Sequence, residues 1–245
     1  MKDTFEQSSV AWQAIPHWET GDPGQSRVPD GVPSTPAFLD LELEDVRFQV
    51  TLAQASAPTP DPLLAVVIAH TVQLATAIDA KVLNHLCKNA KQPDLPLTGT
   101  DFKDILPTLI DARAAVEDAG YKAPSCLITN TEGLKKISTA VTGEANTNSV
   151  LSVANVNSLH RATKLEDPSV DDQILMLMLG RRQRIAQGNA PEASPGEEPV
   201  DLAVSVAPSL EVVGETAAGQ IELAVRIRLA TRVKDDKGIV AIRGT

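Results

Sequence analysis

The chain has 245 residues and a mass of 26.0 kDa, with 42% hydrophobic and 22% charged residues, which predicts a folded globular protein. Aromatic residues make up only 3%, so the core must be aliphatic, and a stacking platform for single-stranded nucleic acid is disfavoured. The net charge is −10, and residues 1–61 hold ten acids and three bases, so the chain offers no broad basic face to a phosphate backbone.

The number of cysteines and the hydropathy pattern indicate the cellular compartment of the protein. Cys87 and Cys126 are too few for a disulfide framework and have the apolar or helical neighbours of small buried residues. The first residues lack the apolar region of a signal peptide, and no unbroken run of about 18 apolar residues occurs. These features predict a cytoplasmic protein with no membrane partner.

Residues 1–37 are rich in Pro, Gly, Asp and Ser, a composition that prevents long regular elements. This segment carries both tryptophans, Trp12 and Trp18, which an unattached tail would rarely keep. Two interpretations stay open. The tryptophans pin the segment onto the protein's own core, or the segment docks on a neighbouring subunit or a guest molecule.

The next segments predict a strand followed by a long helix. Residues 38–54 alternate between apolar and polar, which predicts extended strand, with a hairpin bend at Glu44–Asp45. Asp61 and Pro62 mark a helix start, and the helix is predicted over Pro62–Lys91, about 40–45 Å long. Its apolar stripe is formed by Leu64, Ile68, Thr71, Ala75, Ile78, Val82 and Leu86.

The middle of the chain resembles a small α/β subdomain. Pro107 is expected to kink the second helix or reset its start. Residues 150–165 remain ambiguous. The predicted elements are a loop at 92–100, helix Asp101–Ala119, strand Ser125–Thr129, helix Thr131–Ala140, a polar loop at 141–149, strand Ile174–Leu179 and a mobile acidic loop at 187–199.

The C-terminal block is predicted to be all β. Short strands at Leu202–Val206 and Leu210–Val213 precede a strand of 13 residues, Ile221–Val233. After a turn at 235–238, Ile239–Ile242 is expected to return as its hairpin partner. The polar face of the long strand carries Glu222, Arg226, Arg228 and Arg232.

The long helix and the long strand match in length. The strand spans roughly 43 Å, similar to the helix, whereas a compact chain of 245 residues has a radius of gyration of about 18 Å. The match favours an elongated arm in which the helix packs along the strand and neighbouring subunits bury the remaining surface. The alternative is a monomer with one long helix across a large twisted sheet.

The residue types used in catalysis and metal binding are not spaced in the sequence to form a common site. His17, His70, His85 and His160 lack metal-ligand spacing, and no phosphate loop, dinucleotide fingerprint or nucleophile elbow occurs. The sequence therefore predicts no enzyme, cofactor or metal. Arg181, Arg182 and Arg184 are expected to pair with the acids of 192–198 or of a neighbouring subunit, the alternative being contact with a polyanion.

The order of elements resembles the major capsid proteins of tailed phages and the encapsulins. A polar arm leads into an extended strand–loop–strand, a long helix containing TVQLATAIDAKVLN (71–84), an α/β subdomain and a long terminal strand. The resemblance implies an α+β capsid-type fold with a spine helix and a peripheral sheet. Its parts would be an N-terminal arm at 1–27, an extended loop at 28–57, a peripheral domain at 58–97 and 201–245, and an axial domain at 98–200.

The resemblance also implies a function. The chain would be a self-assembling subunit of a closed, icosahedral shell, either a cellular nanocompartment or a phage capsid, enclosing a cargo protein or packaged DNA. It would then lie in the cytoplasm or in a virion. Residues 28–57 contain no lysine, so the loop crosslink known in some such capsids is not expected. The short polar arm, without a charged helical scaffolding run, favours the nanocompartment.

Other functional classes remain as alternatives. One is an oligomeric adaptor or ring-forming phage component, and another is an enzyme with an unrecognised site. For the shell, Arg226, Arg228 and Arg232 are predicted to bind the acidic N-terminal region of another copy, the alternative being that they face solvent. The other predicted assembly contacts are Arg181, Arg182, Arg184, Trp12 and Trp18.

Overall fold

The computed structural model describes residues 1–30, 35–90, 95–99, 102–139, 147–166, 173–184 and 197–244. Helices and strands are both abundant, which confirms the α+β class. The helices are α1 (Lys2–Ser8), α2 (Val10–Ala14), α3 (Leu52–Ala55), α4 (Asp61–Asn89), α5 (Phe102–Asp118), α6 (Thr131–Thr139) and α7 (Thr147–Val153). The strands are β1 (His17–Glu19), β2 (Arg27–Pro29), β3 (Phe38–Asp40), β4 (Glu42–Val50), β5 (Leu95–Leu97), β6 (Ala123–Thr129), β7 (Val156–Arg161), β8 (Ile174–Arg181), β9 (Val200–Glu215), β10 (Ile221–Val233) and β11 (Ile239–Gly244).

The chain forms two compact units, each drawing on separate stretches of sequence. Unit 1 consists of Met1–Ser9, His17–Asp79 and Leu202–Arg232. Unit 2 consists of Val10–Pro16, Ala80–Asp201 and Val233–Thr245.

Unit 1 is built on a four-stranded sheet in the order β1-β9-β10-β4, with β2 and β3 forming a separate two-stranded ribbon. β10 runs antiparallel to β4, so that Ile221 lies opposite Val50 and Leu229 lies opposite Glu42. The alternating residues Leu223, Val225 and Ile227 are buried, as the sequence pattern predicts.

Unit 2 is built on a five-stranded sheet in the order β5-β11-β8-β6-β7. Its central strand β8 is buried at every position, which explains the continuous apolar run ILMLML. Helix α5 packs against β5, β8 and β11. Asn130 caps α6, because its Oδ1 accepts the Gly133 backbone N–H at 2.8 Å.

Helix α4 confirms the predicted long helix, and its 29 residues span about 43 Å. The predicted stripe is right in its C-terminal part, where Thr71, Ala75, Ile78, Val82 and Leu86 are buried. It is wrong at Leu64 and Ile68, which are 45% and 39% exposed.

The hydropathy of α4 bears on the expectation that no segment is apolar enough to span a membrane. An 18-residue window of this helix has a mean hydropathy of 1.7, and 28% of the window is buried. By length and composition alone, such a helix is able to cross a membrane. The expectation that no such segment exists considered only unbroken apolar runs and did not take the mean hydropathy of the helix into account.

The extended region differs from the prediction in two details. β4 runs straight through Glu44–Asp45, so the predicted bend there is wrong; the break lies instead at Leu41, between β3 and β4. Residues after Val50 leave the strand and form α3, which begins with a capping box between Thr51 and Gln54.

The C-terminal strands differ more. The two short strands predicted at Leu202–Val206 and Leu210–Val213 are one continuous strand, β9, of 16 residues. The predicted hairpin of β10 with Ile239–Ile242 is wrong, because β11 pairs with β8 and β5 in the sheet of unit 2. A 3-10 turn at Asp236–Gly238 leads the chain there.

The predicted loops and the ambiguous segment are partly resolved. Residues 147–149 belong to α7 and not to a loop, and residues 150–165 contain the end of α7 and all of β7. Residues 92–94, 100, 101, 140–146 and 185–196 lie outside the described residues. At the end of the proposed mobile loop, Glu198 is 2% exposed and therefore fixed in the core.

Candidate assembly surface

A stripe of apolar side chains lies exposed on the N-terminal half of α4, in unit 1. Leu64, Ile68 and Val72 are 45%, 39% and 41% exposed, and their spacing of four residues places them on one face. Val67 takes the buried position in this part of the helix instead. We call Leu64, Ile68 and Val72 the α4 stripe.

Unit 1 also exposes apolar side chains along its extended segment. The ribbon of β2 and β3 pairs Pro29 with Phe38, and Phe38 is 66% exposed. Leu43, near the start of β4, is 44% exposed. Further along β4, Phe48 turns inward and stacks on His70 of α4, with ring centroids 4.2 Å apart.

A third exposed apolar group lies at the end of β9. Leu210, Val212 and Val213 are 43%, 69% and 41% exposed, and residues 210–215 are exposed throughout. This part of β9 therefore has no covering layer over its exposed side chains among the described residues.

The three arginines of β10 contact their own chain. Arg226 forms an ion pair with Glu211 of β9. Arg228 donates to the backbone carbonyl of Pro23 at 3.3 Å. Arg232 is 4% exposed and donates to the carbonyl of Pro29 at 3.0 Å. The N-terminal region is thus a partner of Arg228 and Arg232 within the chain, through backbone oxygens. The role of the three arginines between copies stays a prediction.

Both tryptophans pack within the chain. Trp12, on α2, is 4% exposed. The ring of Trp18 lies beneath the Arg232 guanidinium, 4.8 Å from its centroid, and packs against the cluster of Val28, Leu41 and Ala203. The structure therefore favours the first interpretation, in which the tryptophans pin the N-terminal segment to its own core.

The second arginine cluster divides between core and surface. Arg181 is 2% exposed, and its Nη2 donates to the Ala14 carbonyl at 2.7 Å. Arg182 lies over the Tyr121 ring at 4.9 Å, and Arg184 is exposed. The local acid Glu198 is bound by backbone N–H groups rather than guanidinium groups, namely those of Arg182 and Gln183 at 3.0 and 3.1 Å.

Three titratable groups of unit 2, Tyr121, Cys126 and His160, favour their uncharged forms. Burial raises the pKa of the Cys126 thiol, although the nearby Arg181 acts in the opposite direction. Burial, reinforced by Arg181, lowers the pKa of His160. Burial also raises the pKa of Tyr121, whose hydroxyl donates to Asp235 at 2.9 Å. Among the described residues, no group of three or more His, Cys, Asp and Glu side chains is placed to hold a metal ion.

Comparison with known proteins identifies the fold. No family model matches the chain, and no curated protein matches its sequence. The virus-like particle from Pyrococcus furiosus matches with a TM-score of 0.67 at 12% identity, covering 98% of this chain and 94% of that chain. The capsid of the cyanophage P-SCSP1u matches with a TM-score of 0.60 at 9% identity, covering 96% of this chain and 86% of that chain. The chain has the tailed-phage capsid fold.

The capsid fold confirms the resemblance drawn from the order of elements. A structure from Microbacterium phage Oxtober96 agrees, with a TM-score of 0.67 at 14% identity over 97% of this chain and 91% of that chain. The capsid fold extends over nearly the whole chain, so units 1 and 2 both belong to it.

The surface features that sequence reasoning missed are the α4 stripe and the exposed end of β9. Periodicity identified Leu64 and Ile68 as apolar positions, but it assigned them to the core of one chain. The signal for β9 is its run of apolar residues on both faces, Leu210, Val212 and Val213, which a strand covered on one face within its chain would not need.

Proposed function

We propose that this protein is a self-assembling shell subunit, many copies of which close into an icosahedral compartment. The observation that carries the proposal is the near-complete match to the Pyrococcus furiosus virus-like particle, which covers 98% of this chain and 94% of that chain. A match of this extent leaves little of either chain for a separate activity. The protein is therefore proposed to act through assembly and not through catalysis.

The exposed apolar residues of unit 1 support assembly. Phe38 at 66% and Leu43 at 44% exposure lie on the extended segment, and the α4 stripe lies on the helix. We propose that Phe38 and Leu43 of one copy cover the α4 stripe of a neighbour. Burying such groups contributes about 25 cal/mol per Å² of apolar surface, and the gain is repeated at every contact of a closed shell.

This assignment provides a protein partner for the exposed apolar residues of α4. A second copy covers only the N-terminal half of the helix, where Leu64, Ile68 and Val72 are exposed, whereas a membrane span would contact the whole length of α4. Ile78, Val82 and Leu86 are 0% exposed, so these large apolar side chains of the C-terminal half are already covered within the chain itself. The protein partner is therefore preferred to the bilayer.

The finer parts of the proposal concern the contents and the place of the shell. We propose a cellular nanocompartment that encloses a cargo protein, with a phage capsid that packages DNA as the second candidate. Purified particles distinguish the two by absorbance and nuclease treatment: nucleic acid protected inside the particle indicates a capsid. A co-purifying protein within nucleic-acid-free particles indicates a nanocompartment.

The test of the assembly surface is a charge placed on the α4 stripe. Ile68→Glu should leave the helical signal in circular dichroism unchanged and abolish particles in size-exclusion chromatography with light scattering, because a buried contact would then hold an unpaired carboxylate. The matched control is Gln73→Glu, which adds the same charge to an exposed position on another face of α4 and should assemble normally.

Three outcomes bear on the proposal. Normal particles from Ile68→Glu would remove the α4 stripe from the assembly surface. Flotation of the wild-type chain with phosphatidylcholine vesicles would indicate a membrane partner instead. A closed ring of fewer than about a dozen copies would favour the ring-forming adaptor over the shell.

A further inference from the structure

Strand β4 forms one edge of the unit 1 sheet. It pairs with β10 on one side, and no strand of the described chain lies along its other side over Glu42–Val50. At about 3.3 Å per residue, this open side extends for roughly 30 Å. An uncovered strand edge presents unpaired N–H and C=O groups to which another strand can add. We call this open side of Glu42–Val50 the β4 edge.

The hairpin between β9 and β10 determines which residues of β4 face this edge. Thr216 donates its backbone N–H to the Gln220 carbonyl at 2.8 Å, so the peptide groups of Gln220 face β9. These groups alternate between the two sides along a strand, so those of Val225 in β10 face β4. Its partner Val46 faces β10 in return, and the register of the two strands has no shift. The residues with outward peptide groups are therefore Leu43, Asp45, Arg47 and Gln49.

The ribbon of β2 and β3 gives the same assignment. Leu41 donates its backbone N–H to the Ser26 carbonyl at 2.8 Å, so the peptide groups of Leu41 face β2. Two residues further along the extended chain, Leu43 faces the same side, which is the side away from β10. β2 thus covers the edge at Leu41, and the open part follows it. This part ends at Val50, because Thr51 caps α3 and the chain leaves the strand.

We infer that the β4 edge pairs antiparallel with the β4 edge of a second copy, across a two-fold axis at Val46. This inference rests on the proposed function, because an icosahedral shell contains two-fold axes and a two-fold contact uses one surface twice. Val46 is the midpoint of Glu42–Val50, so each strand spans the open edge of the other and ends before it reaches the partner's β2. The outward residues then exchange their hydrogen bonds in pairs, such as Leu43 with Gln49.

Charge selects this register. Asp45 of each copy lies opposite Arg47 of the other, so two pairs of opposite charges cross the axis. Both side chains are exposed, and within one chain the Asp45 Oδ2 is 3.0 Å from the Arg47 Nε. An axis centred on Asp45 would oppose two carboxylates, and one centred on Arg47 would oppose two guanidinium groups, which destabilises a strand pair. On the other face of the strands, Glu42 and Glu44 lie opposite apolar residues of the second copy.

The first experiment reverses one charge at a time. Asp45→Lys makes both facing positions positive, and Arg47→Glu makes both negative. Particles of either variant should dissociate on dilution at a roughly tenfold higher concentration than wild type. Co-expression of the two variants should restore wild-type resistance, because each copy then faces the opposite charge. The ion pair within each chain stays broken in the mixture, so the recovery reports a contact between copies.

The control for net charge is Asp118→Lys, at an exposed position at the end of α5, which should assemble as wild type. Single variants that resist dilution as well as wild type would overturn the inference. So would a co-expressed mixture that is no more resistant than the single variants, because the charges would then act within one chain.

The second experiment locates the axis. In assembled full-length protein, Val46→Cys should form a disulfide-linked dimer on a non-reducing denaturing gel, because Val46 and its mate form a non-hydrogen-bonded pair with Cα atoms about 4.5 Å apart. The matched control is Gln49→Cys, exposed on the same strand, whose mate lies roughly 20 Å away and should give no dimer. The native Cys87 and Cys126 are 1% and 0% exposed and should not react.

The outcomes separate this inference from the proposed function. Normal wild-type particles in which Val46→Cys gives no dimer overturn the β4 pairing and leave the shell intact. Equal dimer formation by Gln49→Cys and Val46→Cys also overturns it, because the reaction would then be non-specific. A disulfide between Val46→Cys and a different co-purified protein would assign the edge to a foreign strand and overturn the self-pairing. A wild-type chain that stays monomeric contradicts the shell itself.

Discussion

The sheets of the two units differ in how completely one chain covers them. β8, at the centre of the unit 2 sheet, is buried at all eight positions. β9, in the unit 1 sheet, is buried at its start and exposed from Leu210 to Glu215. Both strands are rich in apolar residues, so composition does not separate them. One chain therefore covers the central strand of the unit 2 sheet completely and leaves the end of β9 in the unit 1 sheet uncovered.

The largest effect should come from a cavity in the complete sheet. Leu177→Ala in β8, at a position 0% exposed, should lower the free energy of unfolding by about 2–5 kcal/mol. Val212→Ala in β9, at 69% exposure, should change it by about 0.5 kcal/mol or less. Chemical denaturation at a concentration where the chain is dissociated measures both. Equal losses in the free energy of unfolding for the two variants would contradict the difference in coverage between the two sheets.

A smaller loss is expected from the buried arginine of unit 2. Arg181→Met removes the donor to the Ala14 carbonyl and should cost about 1–3 kcal/mol, because a buried acceptor is left without its bond. Arg184→Met, at an exposed position, serves as the control and should be nearly neutral. If Arg181→Met unfolds at the same denaturant concentration as wild type, the arginine does not hold the N-terminal segment in unit 2.

The corresponding arginine of unit 1 should contribute less. Arg232→Lys keeps the charge but loses the planar group over Trp18 and the geometry of the bond to Pro29, at a cost of roughly 0.5–2 kcal/mol. Tryptophan fluorescence should report a more solvated Trp18. An unchanged spectrum and midpoint would mean that the contact adds nothing to the attachment of this segment.

The smallest effect is a pH dependence in unit 2. The pKa of His160 is lowered, so at mildly acidic pH the unfolded chain binds a proton that the folded chain does not. Stability should be independent of this group above about pH 6.5 and should fall as the pH drops below that value. His160→Gln should flatten this part of the profile, measured by urea midpoints between pH 7.5 and 5.5. A wild-type profile with the same slope as the variant would contradict the shift.

Strong local patterns made much of the fold predictable. β10 was expected at Ile221–Val233, and it has those bounds because its alternation is uninterrupted. The buried half of α4 follows from the spacing of Ile78, Val82 and Leu86. The sequence misled at β9: two short strands were expected at Leu202–Val206 and Leu210–Val213, but β9 is one strand from Val200 to Glu215. The pairing of β11 with β8 depends on distant residues and has no local signal.

The sequence predicted that the functional surface is an assembly surface, but it did not predict which residues are exposed on it. The resemblance led to assembly, and charge drew attention to Arg226, Arg228 and Arg232. Burial and hydrogen bonds show that these side chains serve contacts within one chain, at Glu211, Pro23 and Pro29. The exposed apolar residues emerged only once the three-dimensional structure showed which positions the chain leaves uncovered. Periodicity identifies an apolar face but not the molecule that covers it.

The most direct test of the account is the mass of the purified wild-type particle. Light scattering or mass photometry should give a discrete species of many copies of the 26.0 kDa chain, and electron microscopy should show closed shells. This species should persist at near-neutral pH and moderate salt. A stable monomer at 26.0 kDa under these conditions would contradict it.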